Sequence, residues 1–310
     1  MPVQESIRSD TELLWWRSDY DAVDQVNIST FGWAGSLSPS GESAFTVCDR
    51  YFHSLGYKYM IDISDRCQEG WKVYGEPYCR SNTTRGLVSS WTAAVDRYVA
   101  EIKSRPQIVG VFLGDEYATA AAPLQRFRRS LTKLLLLLCR PIIGGVPQRE
   151  VCKLASYVKS ALLAAGRGEV FVYFNDAPAP LLAMPHGLCD GLDYISADVY
   201  VPFDQVEQEA EAVKKVYDQV KQKLAPHQRL FVVPGLYWHA NASLPPDMER
   251  RFVGMLDAYY RYTISEPAIV GWNPWHYLAR SEAAGGRGVK TMGPVVGAKV
   301  AEIGRRIARK

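Results

Sequence analysis

Two adjacent carboxylates, Asp115 and Glu116, end an apolar run that begins at Val109. Such a run is typical of a strand buried on both faces, and parallel sheets bind ligands at the carboxyl ends of their strands. Burying neighbouring carboxylates costs free energy that structure alone seldom requires. The apolar setting beside Tyr117 and the charge of Asp115 would both raise the pKa of Glu116. The pair therefore predicts proton transfer, with Glu116 as a general acid.

Polar and aromatic side chains also stand at the ends of the other predicted strands. They are Trp33, Asp62, Asp176, Asp198, Tyr200, Tyr237, Trp238, His239, Trp275 and His276. Aromatic rings offer flat apolar faces to the C–H faces of a pyranose, and carboxylates accept hydrogen bonds from sugar hydroxyls. This inventory predicts a carbohydrate-binding site.

Hydrolysis of a glycosidic bond needs a second carboxyl group as nucleophile or as base for water. Asp176 and Asp198 are the best candidates, and Asp62 is the third. Each has a structural alternative, because an aspartate at a strand end often caps a helix or fixes a turn. The histidines and tryptophans also have a structural alternative, in which their role is limited to packing at the rim.

The elements that would hold these residues alternate between strand and helix. Seven strands are predicted, at Val26–Trp33, Tyr57–Ile63, Ile108–Gly114, Val170–Asn175, Leu192–Val199, Leu230–Pro234 and Ile269–Asn273, with an eighth near Trp71–Tyr74. Helices are predicted at Gly41–Leu55, Trp91–Lys103, Pro123–Cys139, Arg149–Ala165, Asp204–Leu224, Asp247–Tyr262 and Val295–Ala308.

This alternation predicts an α/β fold, a single (β/α)8 barrel over residues 1–310 with a helical insertion after strand 4. The competing fold is a doubly wound open sheet. No Gly-x-Gly-x-x-Gly turn follows the first predicted strand, which argues against a dinucleotide-binding fold.

The segment Val109–Tyr117 resembles the end of strand 4 in glycoside hydrolase barrels, many of which carry the acid/base glutamate there. Trp238 and Gly271–Trp275 are similar to the aromatic ends of strands 7 and 8 in those enzymes. The resemblance implies a glycosidase with Glu116 as acid/base. The chain departs from the large retaining clan, because Leu230–Trp238 contains no carboxylate where that clan places its nucleophile.

Three alternatives stay open at the level of sequence. The adjacent Asp-Glu pair also resembles that of β-N-acetylhexosaminidases, where the aspartate orients a substrate 2-acetamido group that acts as nucleophile. The missing carboxylate on strand 7 favours a non-catalytic carbohydrate-binding barrel, a pseudoenzyme. An Mg²⁺-dependent hydrolase would use Asp62, Asp115, Glu116 and Asp176. We predict no cofactor and no resident metal, and we interpret Gly285–Gly288 as a flexible loop.

Charge and hydropathy bear on partners. The net charge of +3 is small and the basic residues are dispersed, so nucleic acid is not an expected partner. The apolar run Leu134–Leu138 is far shorter than the roughly 20 residues that span a bilayer, so no membrane partner is expected. The oligomeric state is left open.

Cysteines and asparagines bear on compartment. Cys67 and Cys79 share a loop and are either bridged or free, whereas Cys48, Cys139, Cys152 and Cys189 are predicted to be core packing. Three of the five asparagines (Asn27, Asn82 and Asn241) begin Asn-X-Ser/Thr acceptor sequences, of which Asn27 falls in a predicted strand. The polar N-terminus shows no signal peptide. These observations lean toward a secretory-pathway protein whose signal is absent from this chain.

Overall fold

The computed structural model describes residues 12–13, 31–34, 58–63, 91–114, 148–184, 187–199, 206–235, 237–239, 247–273, 286–288 and 294–308. Their strands are β1 Glu12–Leu13, β2 Phe31–Ala34, β3 Lys58–Asp62, β4 Ile108–Phe112, β5 Phe171–Asp176, β6 Tyr194–Ala197, β7 Arg229–Val232, β8 Tyr237–His239, β9 Ile269–Trp272 and β10 Gly286–Gly288. Their helices are α1 Trp91–Lys103, α2 Gln148–Ala164, α3 Pro178–Ala183, α4 Val206–Lys221, α5 Met248–Ser265 and α6 Pro294–Ala308.

Eight strands form one parallel sheet in the order β1-β9-β7-β6-β5-β4-β3-β2. β8 and β10 pair with each other outside this sheet. Among the eight strands, β1 pairs with β9 from the other end of the chain, and all other neighbours follow one another in chain order. Helices α1 to α5 lie in the connections between β3 and β9, as parallel strands require. This is the strand order of a (β/α)8 barrel, with β1 and β2 at the edges of the described sheet. The predicted α/β class is confirmed.

The two faces of the sheet carry different cores. The outer core joins strand residues such as Val111 and Val172 to helix residues such as Val95 and Leu154. The inner core contains strand residues alone, namely Met60, Phe112, Phe171, Tyr173, Phe231 and Val270. Helices cover only one face of the described sheet, whereas a doubly wound sheet carries them on both.

The sheet is also strongly curved. Asn273, at the end of β9, donates from Nδ2 to the hydroxyl of Tyr173 on β5 at 2.7 Å, although β7 and β6 lie between them. In a flat sheet these strands would be about 14 Å apart, three spacings of about 4.8 Å. Side chains that meet over this span indicate a sheet that curls toward a barrel, which argues against a flat doubly wound sheet.

Two irregularities keep the inner core filled. The pairing of β3 with β4 skips Val109, and that of β7 with β9 skips Val270. In β4 the extra residue shifts the alternation, so that Val109 and Gly110 both lie on the inner face and Phe112 follows there. A Cβ on Gly110 would lie 2.2 Å from the ring of Phe171, so glycine leaves the space that this ring fills.

The eighth strand of the described sheet differs from the one suspected in the sequence. The segment Trp71–Tyr74 lies outside the described residues, and β3 pairs directly with β4. The missing strand is β1, which pairs with β9 at the opposite edge. The first predicted strand corresponds to β2, so β4 keeps its place as the fourth.

Cys152 and Cys189 pack in or against the outer core, as predicted. They also form a disulfide between α2 and the segment before β6, which the sequence did not predict. The two cysteines are 37 residues apart, so the sequence did not indicate that they are close in space. Helix α2 brings them together by packing against the segment that leads into β6. The Cys67–Cys79 alternative, the helices predicted at 41–55 and 123–139 and the three acceptor asparagines lie outside the described residues. Within the described part, no helix combines the length and apolar character needed to cross a membrane.

Candidate functional site

A layer of buried polar side chains lies above the inner core, at the carboxyl ends of β5, β6 and β9. Asn273 donates to the Tyr173 hydroxyl, which lies 2.6 Å from Ser196 Oγ, and Ser196 donates to Asn175 Oδ1. All four side chains are buried. Each hydroxyl accepts one bond and donates one, so the chain runs in one direction from Asn273 to Asn175.

Tyr173 is the centre of this layer. Its ring contacts Phe112 and Phe231 at centroid distances of 5.2 and 5.4 Å. Burial raises the pKa of its hydroxyl well above the ordinary value, and the charge of Asp198 raises it further, against the lowering by Ser196 and Asn273. The hydroxyl therefore stays protonated and keeps donating. The layer is a fixed neutral floor for whatever lies above it.

Asp198 is a carboxylate on the inner face of its strand, the face that carries this floor. Tyr194 packs on the inner core and Ser196 bonds to Tyr173, while Ala197 lies in the outer core. Alternation then puts Asp198 on the side of Ser196. Its backbone N–H still donates to Asp176 O at 3.1 Å, so the strand geometry extends to it. Asp198 is only partly buried.

Asp176 stands differently. It follows Val172 and Phe174, both outer-core residues, at a spacing of two. Its side chain is 2% exposed, and its Oδ1 accepts the backbone N–H of Ala177 at 2.8 Å. The Ala-Pro-Ala-Pro segment that follows Asp176 leads into a short helix, α3, with proline in its first turn. The structural alternative for Asp176 is therefore the better supported one.

Gly114 fixes the point from which the Asp115–Glu116 pair departs. Its carbonyl accepts the Asn175 N–H at 3.2 Å, and its φ of 148° lies in a region that favours glycine. The chain therefore leaves β4 in a direction that side-chain-bearing residues rarely adopt. An unusual backbone of this kind is frequent beside functional groups.

A second, two-stranded sheet follows strands β7 and β9. β8 pairs antiparallel with β10, with Trp238 opposite Arg287 and His239 opposite Gly286. The prediction of a flexible loop at Gly285–Gly288 is wrong for residues 286–288, which form a strand. The pairing holds the predicted aromatic residues Tyr237, Trp238 and His239 in a ribbon after strand 7.

The structure brings the predicted site residues together only in part. Asp62 ends β3, Trp33 lies in β2, Asp176 ends β5 and Asp198 follows β6, all on parallel strands. The remaining predicted residues, apart from the β8 trio, lie outside the described residues; they are Asp115, Glu116, Tyr200, Trp275 and His276.

The four floor residues were not among those predicted from the sequence. Asn175 and Asn273 each end an apolar strand, which is the same pattern that pointed to Asp176 and Asp198, but the prediction was limited to carboxylates. Tyr173 and Ser196 alternate with apolar neighbours in Phe171–Phe174 and Tyr194–Ala197. Polar residues at a spacing of two inside a buried strand are the pattern that would have found them.

Metal ligation has no support in the part of the chain that the structure describes. There, no group of three or more His, Cys, Asp or Glu side chains is arranged to hold an ion.

No protein-family model matches the sequence, and no curated protein shows significant similarity to it. The fold is nevertheless shared with solved glycoside hydrolase structures. Xylanase 10B from Thermotoga maritima is 7% identical with a TM-score of 0.59, over 98% of each chain.

Two further structures show the same likeness. A GH5_18 protein from Bifidobacterium longum subsp. infantis is 13% identical with a TM-score of 0.55, over 96% of this chain and 78% of its own. The GH113 β-mannanase from Alicyclobacillus acidocaldarius, in complex with ManMIm, is 12% identical with a TM-score of 0.50, over 96% of this chain and 97% of its own. The likeness establishes a common fold, as the sequence resemblance to glycoside hydrolase barrels predicted.

Proposed function

We propose that the chain is a glycoside hydrolase that cleaves O-glycosidic bonds of a glycan or oligosaccharide. Glu116 is the proton donor and Asp198 the second carboxylate. The observation that carries the proposal is the position of Asp198, a carboxylate on the inner side of β6 above a buried polar floor. The fold shared with a xylanase and a mannanase supports the same reaction class.

The choice of Asp198 over Asp176 rests on their contacts. Asp176 accepts the Ala177 N–H and follows outer-core residues, so its carboxylate has a structural task. Asp198 is partly exposed and follows inner-face residues. In the proposed reaction Glu116 protonates the leaving oxygen while Asp198 attacks the anomeric carbon or activates water. A carboxyl separation of about 5–5.5 Å would give retention, and about 6.5–9.5 Å inversion.

Substrate contacts come from the other rim residues. Trp33, Asp62, Tyr200 and the aromatic trio of β8 would line sugar subsites, together with Trp275 and His276. Rings that stack on pyranose faces and a carboxylate that binds hydroxyls suit a neutral oligosaccharide.

Substitution of Glu116 tests the acid. Glu116→Gln should lower kcat by about 10²–10⁴-fold, the usual contribution of a positioned acid. With dinitrophenyl glycosides, whose leaving group needs little protonation, kcat/KM should stay close to that of the wild type. Kinetics on both substrate types measures this, with circular dichroism as the folding control. Near wild-type turnover by Glu116→Gln on substrates with poor leaving groups would remove Glu116 from the mechanism.

Paired substitutions test the second carboxylate. Asp198→Asn should lower kcat by a comparable factor on both substrate types, because the nucleophile or base is needed whatever the leaving group. Asp176→Asn should lower the melting temperature and leave kcat nearly unchanged. The reverse pattern would transfer the role to Asp176.

A non-catalytic carbohydrate-binding barrel is the second candidate. It is favoured by the end of β7, Val232 to Gly235, where no carboxylate stands. Saturable glycan binding without turnover, unchanged in Glu116→Gln, would establish it. Loss of activity on chelation would instead favour the Mg²⁺ site of Asp62, Asp115, Glu116 and Asp176. Activity confined to 2-acetamido sugars would favour the substrate-assisted mechanism with Asp115.

The Cys152–Cys189 disulfide supports an oxidising compartment, as the acceptor asparagines do. Glycosidase digestion of protein from its native source tests this, because loss of mass would reveal N-linked glycans. An unchanged mass would remove the argument from the asparagines.

A further inference from the structure

The hydroxyl of Tyr217 lies between the carboxyl ends of β6 and β7, although its residue belongs to helix α4. It is 2.9 Å from the carbonyl oxygens of Ala197 and Phe231. The backbone N–H groups of Ala197 and Val233 donate to it at 3.2 Å each. One side chain thus contacts the backbone of two neighbouring strands at four points.

The chemistry of a phenol suits this position. Its oxygen accepts two hydrogen bonds, which the two N–H groups occupy, and its single proton is shared between the two carbonyls. The side chain is fully buried. Burial raises the pKa of Tyr217 far above its ordinary value, and the charge of Asp198 also raises it, although the backbone bonds lower it. The hydroxyl therefore keeps its proton at every pH at which the fold persists.

The four hydrogen bonds of the Tyr217 hydroxyl involve backbone groups next to residues of the proposed site. Ala197 is the residue before Asp198, so its backbone sets where that carboxylate begins. Val233 precedes Pro234 and Gly235, which lead into the β8 ribbon with Trp238. The last paired residues of the two strands are Ala197 and Val232, so the hydroxyl lies where the sheet pairing ends.

We propose that Tyr217 is a positioning residue for Asp198: its hydroxyl holds Ala197 and Val233 and thereby sets the place of the carboxylate relative to Glu116. This inference rests on the proposed function, since it takes Asp198 as the second carboxylate. It assigns to a helix residue behind the sheet a role in the turnover rate. A displacement of about 1 Å in a reacting group can lower a rate by about 100-fold.

Tyr217→Phe removes the oxygen alone and tests the inference. We expect kcat to fall by at least about tenfold while KM stays within about twofold, because positioning of a reacting group affects the transition state more than substrate binding. The melting temperature will also fall. A purely structural role would lower the melting temperature and leave kcat unchanged well below it, and that result would overturn the inference.

Two variants serve as matched controls. Tyr262→Phe removes a phenol oxygen of helix α5 that donates to Asp218 of helix α4 at 3.2 Å. Gln228→Met removes buried hydrogen bonds to Cys189 O and Leu192 O before the amino end of β7. Both should retain kcat, and Gln228→Met should lose stability comparably to Tyr217→Phe. A similar drop in kcat for Gln228→Met would show that stability alone explains the effect.

A double variant separates this inference from the proposed function. If Tyr217 acts through Asp198, adding Tyr217→Phe to Asp198→Asn should lower kcat by less than about twofold further. Full multiplication of the two effects would overturn the positioning role while leaving Asp198 catalytic. Wild-type activity in Asp198→Asn would instead contradict the proposed function, because it would show that Asp198 is not the second carboxylate. If the wild type binds glycan without turnover, Asp198 has no reacting role, and the inference is overturned together with the proposed function.

Discussion

At the scale of single residues, Gly110 shows how closely the inner core is filled. The Cβ of any other residue would lie 2.2 Å from two atoms of the Phe171 ring. The ring is also held on its other side, where it contacts Tyr194 at a centroid distance of 4.7 Å. It therefore has little freedom to move away.

Gly110→Ala should destabilise the protein by about 1–3 kcal/mol, the usual cost of overpacking a filled core. Gly254→Ala is the matched control, because Gly254 lies in α5 with open space around its Cβ position. It should stabilise by about 0.5–1 kcal/mol through helix propensity. Denaturant unfolding measures both. A Gly110→Ala variant as stable as the wild type would show that the ring can move.

The sequence did not distinguish the orientations of the candidate site residues. Asp176 and Asp198 each end an apolar strand, and the sequence offered no reason to separate them. The separation comes from the alternation of β5 and β6, which depends on which face of each strand is inner. In a strand whose two faces are both apolar, such as Phe171–Phe174, the sequence carries no such information.

At the scale of elements, agreement followed periodicity. Helix α1 has the predicted bounds, because Val95, Val99 and Ile102 mark one buried face. Strands β3, β4, β5, β6, β7 and β9 lie within one or two residues of their predicted bounds. β1 has two residues and β10 consists of Gly-Arg-Gly, so neither contains a period that could be recognised. β1 and β10 are strands because they pair with β9 and β8, which lie elsewhere in the chain.

The disulfide joins two of these elements across 37 residues of sequence. A closed loop of this length stabilises by about 3–4 kcal/mol in the chain-entropy model. The double variant Cys152→Ala with Cys189→Ala should lose about that much, measured by denaturant unfolding.

Reductant provides the control for this prediction. Under reduction the difference in unfolding free energy between the wild type and the double variant should disappear. Alkylation of the denatured, unreduced wild type should spare both cysteines. Labelling of Cys152 and Cys189 under those conditions would contradict the bridge.

At the scale of the whole molecule, three buried or half-buried tyrosines make stability depend on alkaline pH. Burial is the largest cause that raises the pKa of Tyr173, Tyr217 and Tyr262. In the unfolded chain these phenols titrate near the ordinary value of about 10. Above that pH the unfolded state releases protons that the folded state keeps, so the stability present below about pH 10 is lost as pH rises.

We therefore expect alkaline unfolding in which phenolate absorbance appears together with the loss of circular dichroism. The chain has 18 tyrosines, so the cooperative step should follow an earlier, non-cooperative titration of the exposed ones. Tyr217→Phe should reduce the cooperative step by one phenol. Complete titration of all tyrosines with circular dichroism intact would contradict the prediction.

The ribbon of β8 and β10 has a consequence for engineering. Its two strands come from the segments after the seventh and eighth strands of the parallel sheet, yet they pair residue for residue, Tyr237 with Gly288 and His239 with Gly286. Either segment, if transplanted alone into another barrel, would lack the strand with which it forms backbone hydrogen bonds. Chimeras that aim to alter substrate preference should exchange the two segments as one cassette.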